Sequence, residues 1–253
     1  MMRRAESRVF VGPANKKEVF ELAAKRNARK VANNEKRKPV TRVRKRVARR
    51  RDDLILDALE RLLAKHSMAE LDVEPIAVEA GITRTRFYHY FQSKHDALAA
   101  LLRRLRGVLG EAYRHPDSWF IGRAPHVRPR DSMRKTIGIV AKSWWPHRFV
   151  LRETSDLWAA PLTVRDAWLQ AIDFAADQVA ESIERERKLG VAPPGYDARL
   201  IAEGLIWQSE RIFLRVYAEI PGAMGEDEAK AVGLELWMRT IFLDDDPDPQ
   251  AKR

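Results

Sequence analysis

The sequence predicts an all-α chain, and three observations carry that reading. Apolar residues recur at helical spacing in stretch after stretch, capping residues and glycine or proline breaks separate those stretches, and no segment alternates like a strand. No internal repeat is present. At 253 residues the chain is long enough for one large or two modest domains and a core without covalent staples. It has no cysteine, which removes disulfides, thiol nucleophiles and thiolate metal sites together and is compatible with a reducing cytosol. No apolar run approaches the ~20 residues of a membrane span, so a cytoplasmic location is expected.

The first element is a basic arm. Residues 1–51 hold 19 Lys and Arg against 4 acids, whereas the remaining residues hold 28 against 32. The net charge of +11 therefore belongs to the arm rather than to the globule. Within it, Arg42, Arg44 and Arg46 lie in a cluster dense enough to follow phosphates or enter a minor groove. Its start reads as a solvated tail, as a short amphipathic helix from Asn15 to Val31, or as a transit segment weakened by Glu6, Glu18, Glu21 and Glu35.

Next, Arg51 to His66 places Leu54, Ile55, Ala58, Leu59, Leu62 and Leu63 on a helical stripe, as a scaffold. Asp72 stands where it can cap a second helix carrying Ile76, Ala77 and Ala80, with Pro75 tolerated in its first turn. Gly81 supplies a turn, and Thr83 caps a third helix running through Arg84, Thr85, Arg86, Phe87, Tyr88, His89 and Tyr90. Two helices joined so tightly make a helix-turn-helix. Ser93 and Asp96 then cap a fourth helix, whose apolar positions continue from Leu98 to Ala112 and lead out of this unit as a lever.

On duplex DNA, Thr83, Arg84, Thr85 and Arg86 would lie nearest the floor of the major groove. An arginine there can take guanine O6 and N7 together, worth about 1–3 kcal/mol of discrimination, and the Thr85 methyl can touch thymine. Tyr88 and Tyr90 carry hydroxyls suited to phosphate, and Lys94 opens the next helix where anions are favoured. His89 reads equally as a contact or as a partly exposed helix residue. Loss of Arg86 should change sequence preference, and loss of Lys94 should weaken binding to every sequence.

FYHYF followed by Lys94, after an AxxAGITRTR lead, resembles the DNA-binding signature of the TetR family of bacterial transcriptional regulators. The signature covers Leu54 to Leu105. It implies a three-helix reading domain, a helical ligand domain and a homodimer on a palindromic operator, acting as a repressor released by a ligand.

Beyond the lever, Arg114 to Arg130 contains Pro116, Gly122, Pro125 and Pro129 and reads as a loop. Helices are expected over Met133–Trp145, stopped by Pro146, and over Arg148–Trp158. Further helices are expected from a Thr163 cap to Leu189, from an Asp197 cap to Ala218, and over Glu226–Phe242. The division is a basic arm, partly disordered, over 1–45; a helix-turn-helix DNA-binding domain over 46–113, with the start of the connecting helix; a helical-bundle ligand-binding and dimerisation domain over 114–245; and a disordered tail over 246–253.

All seven tryptophans follow residue 118. Such a density of large rings fits either core and dimer packing or an apolar cavity between helices. The candidate lining is Trp119, Phe120, Trp145, Phe149, Trp168, Phe174, Trp207, Phe213 and Trp237, with Gln208 or Ser209 to orient a ligand. The run from Ile183 to Trp237, with ERERKLGVAPP and Glu210-Arg211, resembles the ligand domain of the mycobacterial ethionamide-resistance repressor subgroup, which implies a long hydrophobic tunnel. That subgroup's asparagines before Glu-Arg are Ile206 and Ser209 here, a more apolar choice. The expected effector is a hydrophobic small molecule, with no cofactor and no metal. The last two helices present Ile201, Leu205, Ile212 and Val216, and Val232, Leu236 and Ile241, as faces for a symmetric partner.

The six histidines form no HxxxH or HExxH pair, and neither a glycine-rich phosphate loop nor a GxSxG elbow occurs, so no enzyme is expected. A non-specific nucleoid or architectural protein binding through the arm alone is the alternative that the charge permits.

Overall fold

Residues 52–154 and 160–242 are described by the computed structural model, and every regular element among them is a helix. The arm with Arg42, Arg44 and Arg46, the Trp158 segment and the acidic tail lie outside the described residues. In chain order the helices are α1 (52–63), α2 (Val73–Glu79), α3 (Arg84–Tyr88), α4 (Lys94–Tyr113), α5 (Pro129–Trp144), α6 (Arg148–Arg152), α7 (Leu162–Lys188), α8 (Ala198–Tyr217) and α9 (Glu226–Ile241). Short 3-10 turns occupy Trp119–Ile121 and Trp145–His147.

The head, α1 to α3 with the start of α4, closes on Ile55, Leu59, Leu63, Ile76, Phe87, Leu98 and Leu102, all essentially without solvent contact. Gly81 takes φ +67°, a left-handed turn that any side chain would strain, and it swings the chain from α2 into α3. The Thr83 hydroxyl accepts the Arg86 amide at 3.2 Å, satisfying one orphan donor of α3. Asp72 holds the N-cap position of α2, but its side chain makes no capping bond. At α4, Ser93 Oγ accepts the Asp96 amide at 3.1 Å and donates to the Asp96 carboxylate at 3.0 Å.

Several boundaries differ from expectation. Helix α3 stops at Tyr88, and the Tyr90 amide turns back to the Phe87 carbonyl at 2.9 Å in a tighter coil. Helix α5 starts at Pro129, whose fixed φ and missing N–H suit a first helical position. Thr163 does not cap α7: that helix begins at Leu162, with Pro161 at the cap and its carbonyl accepting the Val164 and Arg165 amides at 3.0 and 3.1 Å. Asp197 does cap α8, accepting the Arg199 and Leu200 amides at 2.8 and 3.1 Å.

In the carboxyl-terminal part, α7 packs on α4 and α8, and α9 packs on α5 and α8. One apolar core runs without a break from Ile55 and Phe87 in the head, through Leu98 to Leu105 of α4, to Val150, Trp168, Leu214 and Tyr217. A second core gathers Trp119, Met133, Val179, Ile183, Leu205, Trp237 and Met238. Leu205 and Ile241, expected on a partner-facing surface, are buried within the chain, whereas Leu200, Val232 and Leu236 remain exposed. No helix among the described residues is long and apolar enough to cross a membrane.

Candidate functional site

The reading surface is built around Phe87. Its ring is buried against Phe91, at 5.8 Å between centroids, and anchors α3 to the head. With that side fixed, Thr83, Arg84, Thr85, Arg86 and Tyr88 all face solvent. Arg84 leans on Tyr88, its guanidinium 5.8 Å from the ring centroid and donating to the hydroxyl at 3.5 Å. Tyr90 is half-buried against the head core.

Lys94 is placed differently from a free phosphate contact. Its Nζ donates to the Met68 and Leu71 carbonyls at 2.7 and 2.5 Å, clamping the α1–α2 connection onto the start of α4. Two of its three N–H groups thus serve the fold, and Lys94→Ala would loosen the head along with any DNA contact.

Between α4, α5, α7, α8 and α9 lies a cavity of about 130 Å³, with room for on the order of ten water-sized groups. Phe120, Trp168, Phe213 and Trp237 line it, together with Tyr113, Trp144, Tyr217 and the aliphatic Leu109, Ile137, Val140, Ile172 and Ile206. Trp119, Trp145, Phe149, Phe174 and Trp207 do not line it. Trp119 is fully buried elsewhere, with its indole N–H donating to Glu186 at 2.9 Å. Trp145 lies at the surface, 41% exposed, with the Arg148 guanidinium 4.4 Å from its ring centroid, and Phe149 faces the same cation at 4.2 Å. Phe174 stacks behind Tyr113 at 6.0 Å, and Trp207 packs on the first core. Helical spacing alone does not say which flank of a two-sided helix meets free volume.

The polar groups of the lining are largely engaged with the protein itself. Ser209 Oγ accepts the Trp237 indole N–H at 2.9 Å, and the Tyr217 hydroxyl donates to the Ala141 carbonyl at 3.0 Å. Thr136 Oγ1 accepts the Trp119 amide at 2.6 Å and donates to the Ser132 carbonyl at 3.0 Å. Burial pushes the Tyr113 and Tyr217 phenols up, so both stay neutral. Glu210 was missed as a site residue. The signal was present, since an acid among Ile206, Phe213 and Leu214 on an apolar flank of α8 is costly to bury. Among the described residues no group of His, Asp and Glu is arranged to hold a metal ion.

Two routes connect cavity and head. Helix α4 carries Lys94 at one end and the lining residues Leu109 and Tyr113 at the other. The second route is the segment 144–153, where Trp144 and Leu151 line the cavity while its polar residues hold α1 and the turn after it. His147 Nδ1 meets Glu60, which with Asp57 also pairs with Arg104. Arg152 donates to the Leu63 carbonyl at 3.0 Å, and Glu153 Oε2 accepts the Met68 amide at 2.8 Å.

Comparison with known proteins follows this division. Residues 55–101 match the model for bacterial regulatory proteins of the tetR family, and residues 133–243 match that for the C-terminal domain of the transcriptional regulator EthR. The HTH-type transcriptional regulator EthR of Mycolicibacterium smegmatis is 26% identical over 194 residues, covering 76% of this chain and 86% of that protein. EthR of Mycobacterium tuberculosis H37Rv is 27% identical over 193 residues, covering 76% and 87%. Among solved structures, Thermus thermophilus FadR, a TetR-family repressor in complex with lauroyl-CoA, aligns with a TM-score of 0.55 at 21% identity, over 75% of this chain and 94% of that one. SmeT, the repressor of the Stenotrophomonas maltophilia multidrug efflux pump SmeDEF, aligns at 0.57 and 20% identity, over 74% and 88%. The chain belongs to the TetR family of bacterial transcriptional regulators, in the subgroup of EthR.

Proposed function

We propose that this protein is a repressor that binds a palindromic operator as a homodimer and is released by a hydrophobic small molecule held in the aromatic cavity. The observation that carries the reading is the physical continuity of a solvent-facing reader, Thr83 to Arg86, with an apolar cavity through one unbroken core and one helix, α4. A five-residue reader spans few base pairs, so two copies set a helical turn or more apart are needed for a specific site. Leu200, Val232 and Leu236, exposed on α8 and α9, provide apolar surface for that pairing.

Thr83, Arg84, Thr85 and Arg86 supply base readout, and Tyr88, Tyr90 and the arm residues Arg42, Arg44 and Arg46 supply backbone contacts. Occupancy of the cavity displaces Trp144, Leu151 and Tyr113. The displacement passes to the head through α4 and through the Arg152 and Glu153 bonds, altering the spacing of the two readers. A ligand acts this way only through unequal affinity for the two arrangements; moving the population from 1:99 to 99:1 takes about 5.5 kcal/mol.

Selection of bound duplexes from a random pool tests the reading. The expected outcome is an inverted repeat, with Arg86→Ala relaxing preference at one base pair per half-site by about 1–3 kcal/mol. Enrichment of no sequence, with binding lost when the arm is neutralised, would instead favour a non-specific architectural role.

A further inference from the structure

The feature that the hydrophobic-effector reading leaves unused is Glu210. Among the described residues it is the one charged side chain of the cavity lining, and that side chain is 9% exposed. Its Oε2 is buried without a hydrogen-bond partner. The nearest cation is Arg211 Nε at 3.7 Å, on a side chain more than half exposed and therefore already solvated. Burying an acid in this way costs free energy that a purely apolar ligand would not return.

The surroundings say what would return it. Among the described residues, seven aromatic rings line the same cavity: Tyr113, Phe120, Trp144, Trp168, Phe213, Tyr217 and Trp237. Ring faces carry negative quadrupole potential and attract a desolvated cation, and a single carboxylate among them supplies the counter-charge. The hydroxyls of Thr136 and Tyr217, which would otherwise orient a carbonyl ligand, already donate within the protein, and Ser209 Oγ already accepts the Trp237 indole N–H.

We infer that the cavity selects a lipophilic organic cation, an aryl or alkyl ammonium of on the order of ten non-hydrogen atoms, with its nitrogen beside Glu210 and its apolar body among the rings. The inference rests on the cavity being the effector site and names the class of effector. Burial raises the Glu210 pKa and a cation beside it lowers it, so cation binding is coupled to proton release. Binding therefore tightens with rising pH around the Glu210 titration, with Arg211 the one other charged group acting on it among the described residues.

Calorimetric titration of the full chain with three matched probes tests this. Benzyltrimethylammonium is a permanent cation, neopentylbenzene is its neutral isostere, and N,N-dimethylphenylacetamide is a neutral carbonyl compound of similar size. The cation is expected to bind about tenfold or more tighter than the isostere. In Glu210→Gln that ratio is expected to fall to about one, with the helical circular dichroism of the variant unchanged. Equal binding of cation and isostere, or a preference that survives in Glu210→Gln, overturns the inference. Tightest binding by the amide also overturns it, while leaving the hydrophobic effector reading intact. Should Glu210→Gln fail to fold, the cation-to-isostere ratio in the unaltered protein decides alone.

Discussion

Two buried glutamates on neighbouring helices sit in opposite circumstances. Glu186 on α7 has no solvent contact, yet every demand on it is met: Arg123 donates to both its oxygens at 3.1 and 2.9 Å, and the Trp119 indole donates at 2.9 Å. Arg185 completes the corner by donating to the Trp119 and Phe120 carbonyls at 2.6 and 3.2 Å. Glu210 on α8 lines a cavity, and its Oε2 is buried without a hydrogen-bond partner, 3.7 Å from Arg211 Nε. Saturation of a buried charge marks a residue that holds the fold. A buried acid left without a hydrogen-bond partner beside free volume marks one that awaits a partner.

The sharpest way to break this contrast is Glu186→Ala. Arg123, only 3% exposed, would lose its counter-ion, so stability should fall by about 3–5 kcal/mol, measured by urea unfolding. A loss near zero would mean that the corner is not a structural anchor.

A smaller effect is expected where the cavity wall reaches the head. Glu153→Ala leaves the Met68 amide without its acceptor, which costs about 1–3 kcal/mol. Hydrogen exchange should quicken at Met68 and Leu71 while amides of α8 keep their protection. Uniform quickening would show that Glu153 serves global stability rather than this joint.

The smallest effect is on Glu210 itself. Burial holds its carboxyl above the usual carboxylate range, partly offset by Arg211. Its folded pKa is the higher one, so the stability linked to its proton is present below the unfolded value near 4.5 and is lost as pH rises through the folded value. Glu210→Gln should therefore melt above the unaltered protein at pH 7, with the gap closing below about pH 4.5. A variant that melts lower at pH 7 would place Glu210 with Glu186.

The reading helix was more legible in the sequence than the cavity, for a physical reason. Capping and turn formation are local: Thr83, Gly81, Ser93 and Asp197 announce themselves through their neighbours within a few positions. Lining a cavity depends on how five helices are rotated against one another. Trp144 and Trp145 are adjacent in the chain, yet one lines the cavity and the other lies under Arg148 at the surface. Lys94 is similar, for its carbonyl partners stand 23 and 26 residues away on a turn whose position only the folded head defines.

Linkage between the cavity and the reader is tested most directly by filling the cavity from within. Gly233 lines it, and a Cβ built there meets no atom within 4 Å, so Gly233→Phe places a ring in the effector's space. Affinity for the selected inverted repeat, measured by fluorescence anisotropy at fixed salt, is expected to fall about 5- to 150-fold, the usual range of coupling between linked sites. A well-folded Gly233→Phe protein that binds the same duplex with unchanged affinity would contradict it.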